Sequence, residues 1–253
     1  MNHSLEPICY NKNYLVEVVA RIDFATPAES LSTPVLPKAV RDIITKRYAI
    51  HESNKGVRQG FEISEHGVKS QNEEYYQWTF SGSEREKSIT INKDSITVSL
   101  KKYIDWKEFK LDVFEPIKSI VACESTAYIA RTGLRFINIF DDVLNTRQDV
   151  DTYFSPMIAS PISNLDNESN CSRSFLITEY LHNEIKLRMQ TGIYNPDYPA
   201  KIKKLDFIVD LDAYVDTPHA FNEIDTYLDD LHQKVQMHFE SCITENLKRI
   251  LST

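Results

Sequence analysis

The chain has 253 residues, 42% of them hydrophobic and 26% charged, with a formal net charge of −8. That content suffices for one large core or two small ones and excludes extended disorder. No apolar run approaches the roughly 20 residues of a membrane-spanning helix, and Met1–Tyr14 lacks the basic-then-apolar order of a signal peptide. A water-soluble, cytoplasmic protein without membrane contact is the expectation.

Tyr14–Phe24 is the first predicted strand, with Val16, Val18, Ala20, Ile22 and Phe24 alternating against Glu17, Val19, Arg21 and Asp23. Pro27, Pro34 and Pro37 break the chain, and Val40, Ile43, Ile44 and Tyr48 then share one face of a short helix. Phe61–Ile63 reads as a short strand, and Tyr76, Trp78 and Phe80 alternate as another. Ile89–Leu100 reads as a hairpin turning at Asn92-Lys93-Asp94. Trp106, Phe109, Val113, Ile117 and Ile120 recur at helical spacing, and Pro116 predicts a kink because its ring blocks a backbone bond.

Tyr128–Phe140 is the second long strand. The Ser-, Asn-, Asp- and Pro-rich stretch Asp141–Arg173 predicts an irregular excursion. A second hairpin joins Phe175–Tyr180 to Glu184–Met189 around His182-Asn183, and Leu205–Leu211 is a further strand. After the helix-start signal Thr217-Pro218, Ile224, Leu228, Leu231, Val235, Phe239, Leu247 and Ile250 mark one long amphipathic helix. The fold class is α+β. The order of elements suggests two similar halves, 1–123 and 124–253, each a mainly antiparallel sheet covered by a long helix, as in a degenerate internal duplication. One continuous sheet is the alternative.

Three strings carry a resemblance: EVVARIDF (Glu17–Phe24), WTF followed by Tyr103, Trp106 and Phe109, and RTGLRFIN (Arg131–Asn138). With LDFIVDLDAYVD and the helix LHQKVQMHFESCITENL after it, the sequence resembles a sporadically distributed, uncharacterised bacterial family marked by R-x-G-L-R-[YF]-x-N. The resemblance implies a domain spanning nearly the whole chain. It implies no catalytic residues.

Arg131, Gly133 and Arg135 fall on one face of the central strand. Two guanidiniums flanking a residue without a side chain suit a phosphate or a partner's carboxylate. Equally, both arginines suit acids on neighbouring strands, with Gly133 admitting a bulky side chain such as Trp78 or Trp106. Asp206, Asp210 and Asp212 share one strand face, a pattern fit for Mg²⁺ and equally for an ordinary solvated strand. The seven histidines form no HExxH pattern, and His232 and His238 lie on different helix faces. Each histidine therefore reads as a surface or capping residue. Cys9, Cys123, Cys171 and Cys242 form no CxxC pair and are expected as free thiols. GxSxG, GxGxxG and GxxxxGK[ST] are all missing, so no cofactor is expected.

Leu205–Thr253 holds ten acids against three bases, which argues against nucleic acid at that end. Asp225, Asp229 and Asp230 form a candidate partner surface on the last helix. Its apolar stripe suits either core packing or self-association. The expectation is a non-enzymatic protein-binding or regulatory component of a bacterial cytosol. The alternatives are a metal-dependent enzyme on nucleic acid or nucleotide, and a small-anion sensor.

Overall fold

The computed structural model describes residues 8–64, 67–123, 128–165 and 171–253, with the side chains of 57–73 outside the description. His3 and His66 lie outside the described residues. The elements in chain order are β1 (Leu15–Phe24), α1 (Lys38–Ile44), β2 (Ile50–Ser64), β3 (Gly67–Ser81), β4 (Lys87–Ile91), β5 (Ser95–Leu100), α2 (Trp106–Val121) and β6 (Tyr128–Phe140). Then come α3 (Asp149–Tyr153), α4 (Pro156–Ser163), β7 (Ser174–His182), β8 (Ile185–Tyr194), β9 (Asp206–Val215), β10 (His219–Ala220), α5 (Ile224–Cys242) and α6 (Glu245–Leu251).

All strands join one ten-stranded antiparallel sheet in the order β2-β3-β4-β5-β1-β6-β9-β8-β7, with β10 beside the start of β6. The fold is α+β, but the boundary at 123/124 does not separate two sheets. β1 and β6, the opening strands of the two predicted halves, pair with each other at the centre.

Alternation fixes which way each strand faces. Val18, Ala20 and Ile22 stand opposite Phe136, Leu134 and Thr132, and these in turn opposite Leu211, Ala213 and Val215, all on one buried face. Val16 departs from the expected alternation: a register shift between Leu15 and Glu17 turns it outward, leaving it 41% exposed. The Asn92 turn forms as expected, with Asn92 Oδ1 accepting from the backbone N–H of Asp94 (2.8 Å) and Ser95 (2.9 Å). Asn183 takes φ +56° at the second hairpin, a conformation asparagine tolerates.

The helices gather on the buried face. Phe154, capping α3, packs on Phe207 and Phe140 at centroid distances of 4.2 and 5.0 Å. His232 of α5 approaches Phe136, and Met157 of α4 accepts from the Tyr180 hydroxyl. Asp112 of α2 pairs with Lys87 of β4 at 3.2 Å and also with Arg47. α1 rides on α2, and α6 on α3.

α2, capped by Asp105, runs through the buried Pro116. Two sequence expectations change here. Residues 141–173 contain α3 and α4, short helices that form because Val150, Ile158, Ala159 and Ile162 sink into the core. The last helix is two helices. Ile243 leaves the helical region and bridges Phe154, while Thr244 donates to the Thr152 carbonyl (2.7 Å) and its N–H to Tyr153 O (3.0 Å). Of the expected apolar stripe, Ile224, Leu228, Leu231, Val235 and Leu247 are buried in this core, and Phe239 and Ile250 are partly buried against it.

Candidate functional site on the uncovered face of the sheet

The opposite face of the sheet carries the residues of the other parity, and no described helix packs on it. Register places Val19, Arg135, Asp212, Arg188 and Glu179 in one row across β1, β6, β9, β8 and β7. The adjacent row is Arg21, Gly133, Tyr214, Lys186 and Leu181. Both predicted arginines therefore stand at the middle of this face, as their spacing in β6 requires.

Arg135 does not bond the aspartate directly opposite it. Its guanidinium reaches diagonally to Asp210, with Nε to Oδ1 at 2.8 Å and Nη2 to Oδ2 at 2.6 Å. The Asp210 side chain is only 4% exposed, whereas Arg135 keeps 44%. A buried carboxylate thus fixes an arginine whose remaining donors face solvent. Arg131 stands 3.9 Å from Asp23 and 4.0 Å from Asp212, and its guanidinium lies 4.6 Å above the Tyr214 ring. It crosses Gly133, where an added Cβ would stand 2.8 Å from a guanidinium nitrogen. Gly133 thus makes room for Arg131 itself. Trp78 and Trp106 pack on the other side of the sheet.

Asp212 lies between Arg135 and Arg188 in the row. Burial raises its carboxyl pKa above the usual carboxylate value, while Arg131 and Arg135 pull it down and Asp210 adds to the rise. Arg188 donates to Gln190 Oε1 at 3.3 Å. Lys186 pairs with Asp216 at 2.7 Å. Arg188 and Lys186 were missed from sequence, although the alternation Lys186, Arg188, Gln190 places them on one face.

The three candidate metal ligands do not form a carboxylate cluster. Asp210 is held by Arg135, Asp212 has Arg131 at 4.0 Å, and Asp206 has Lys204 at 4.0 Å. Among the described residues no three His, Cys, Asp or Glu side chains converge. Asp206 Oδ1 is enclosed without a hydrogen-bond partner, and burial raises this carboxyl's pKa.

On α5, Asp225 and Asp229 each pair with Lys110 of α2 at 2.8 Å, and Asp229 Oδ1 accepts from Trp106 Nε1 at 2.8 Å. They fasten α5 to α2, while Asp225 and Asp230 remain exposed and Asp229 half-buried. The histidines are more engaged than expected. His182 and His238 share an Nε2–Nε2 hydrogen bond of 2.8 Å, and His219 bonds Thr132 at 2.9 Å. All four cysteines are free thiols. No helix among the described residues is long and apolar enough to cross a membrane.

No protein-family model matches the chain, and no curated protein does. Among solved structures, two of the S. pombe Pct1 RNA triphosphatase, one in complex with the Spt5 CTD, align with 94% of this chain and 81% and 82% of theirs. The identities are 11% and 12% and the TM-scores 0.13 and 0.12, too low to carry any inference about fold or chemistry.

Proposed function

We propose that the chain is a non-enzymatic protein-binding component, an accessory or regulatory part of a bacterial cytosolic system, whose partner docks on the uncovered face of the sheet. The observation that carries this reading is the grouping of Arg131, Arg135 and Arg188 around Asp212 on a face where no described helix packs. Arginine is enriched at interface centres because its planar fork binds carboxylates and stacks on rings. A guanidinium already fixed by Asp210 loses little further freedom on binding. Ile177 and Leu181, 51% and 70% exposed on β7, add apolar area on the same face. The expected partner presents carboxylates flanked by apolar side chains.

The test is affinity capture of the tagged chain from its native host at moderate salt, repeated with Arg188→Glu. A stoichiometric protein partner lost in Arg188→Glu supports the reading; a partner retained by that variant places the interface elsewhere. A small-anion sensor is the second reading, favoured by three guanidiniums around one carboxylate. It predicts stabilisation by phosphate-bearing compounds, lost in Arg188→Ala. The strand pairing also supports the finer reading of a degenerate duplication. In each half the first strand pairs with a late one, β1 with β5 and β6 with β9.

A further inference from the structure

On the helix side of the sheet, between β6, β9, α5 and the segment preceding β1, lies a cavity of about 90 Å³. A single water needs about 10–15 Å³, so this space admits a molecule of several heavy atoms. Phe136, Phe140, Leu211, Val235 and Phe239 give it apolar, largely aromatic walls. Three polar side chains on these walls are more than nine-tenths buried: Asn138 at 5%, His232 at 8% and Gln236 at 9% exposure, the last accepting from the Ile8 backbone N–H at 3.3 Å.

Asn138 Nδ2 donates to the Val209 carbonyl at 3.2 Å, which fixes the amide orientation. Its Oδ1 meets no donor among the described residues. His232 lies flat on Trp106, at 4.2 Å and 12°, and neither ring nitrogen meets a hydrogen-bond partner among the described residues. Burial lowers its pKa to about 4, so near neutral pH the imidazole offers one donor and one acceptor. A ligand in this space would meet both groups, which stand on side chains that are themselves almost wholly buried. The charges at the rim are already neutralised. Glu240 accepts from Tyr10 at 2.8 Å and pairs with Lys248 at 3.3 Å, and Lys12 pairs with Asp142 at 3.0 Å.

We propose that this cavity binds a small, uncharged, planar molecule, a single aromatic or heteroaromatic ring that donates a hydrogen bond to Asn138 Oδ1 and meets the imidazole of His232. Aromatic walls favour a ring, the paired rim excludes a net charge, and the open acceptor selects for a donor. This site is independent of the uncovered sheet face.

The test uses the full chain with phenol and toluene, which are alike in size and differ in the donor. Phenol binds saturably by ligand-observed NMR and raises the melting temperature, while toluene binds about tenfold more weakly, the loss expected for one unmade buried hydrogen bond. Asn138→Leu removes that preference. Val235→Phe fills the cavity and abolishes phenol binding; should it fail to fold, contacts from phenol protons to the Phe136 and Phe239 rings in the unmutated chain locate the site instead. Absence of saturable phenol binding in the millimolar range overturns the proposal. So does equal binding of toluene and phenol, or a phenol preference that survives Asn138→Leu.

Discussion

Removing the cation from the Arg135–Asp210 pair should cost more stability than removing the anion. The asymmetry follows from exposure: the Asp210 side chain is 4% exposed and Arg135 is 44% exposed. Arg135→Ala strands a carboxylate in a dry position. An uncompensated buried charge costs about 3–5 kcal/mol, and truncation also admits some water, so a loss of about 3 kcal/mol is expected. Asp210→Asn keeps an acceptor, and its arginine can rehydrate or turn to Asp212, its direct cross-strand partner. That loss should be about 1 kcal/mol. The double variant Arg135→Met/Asp210→Leu should return to within about 1 kcal/mol of the unmutated chain, since an apolar pair of similar volume replaces a half-buried ion pair. Urea unfolding at pH 7 with linear extrapolation measures all three. In melting temperature the single variants should differ by roughly 4–8 °C, at about 2–4 °C per kcal/mol for a chain of this size. If Asp210→Asn proves as damaging as Arg135→Ala, the pair is not held by a buried carboxylate and this account of the site is wrong.

Asp212 titrates with a raised folded-state pKa, so its contribution to stability is present below the unfolded pKa and lost as pH rises through the folded value. Asp212→Asn should therefore raise the melting temperature at pH 7, with the gain vanishing in acid; a loss at pH 7 contradicts the dominance of burial. His232 has the opposite sign, with a folded pKa lowered to about 4, so stability on the order of 3 kcal/mol is present above pH 6.5 and lost on acidification toward 4. Titrating thermal stability between these limits should show a decline that His232→Phe flattens, and an unchanged slope in that variant would refute it. Phe154→Ala should cost about 3–5 kcal/mol, because the ring is fully buried between Phe140 and Phe207 and its backbone bridges Ile243 at the α5–α6 break. A loss under about 1 kcal/mol by chemical denaturation would show that this packing does not hold the helix break.

Local chemistry was legible wherever it alone decides the outcome. The alternation of β1 and β6 and the hairpin turns at Asn92 and Asn183 all depend on neighbouring residues. What escaped depends on residues distant in sequence. The pairing of β1 with β6 merges the two expected sheets, and its partners lie more than a hundred positions apart. The break at Ile243–Thr244 interrupts an unbroken apolar periodicity, because the competing bonds come from Thr152 and Tyr153. Arg131 and Arg135 were readable by parity. The diagonal choice of Asp210 over Asp212 follows from side-chain reach across β9, which spacing in one strand cannot specify. Asp225 and Asp229 read as a free acidic surface because Lys110, their partner, lies on another helix. The Asn138–His232 cavity left no signal, since it is assembled from segments far apart in the chain.

The most direct test of the central claim is capture of the full tagged chain from its native host at moderate salt, run beside Arg188→Glu and the stability-matched Arg135→Met/Asp210→Leu variant. One stoichiometric protein partner, retained by the unmutated chain and lost in both variants while their folds stay intact, is the predicted result. A chain that comes down alone, or a partner held equally by all three, would contradict the assignment of the uncovered sheet face as the docking surface.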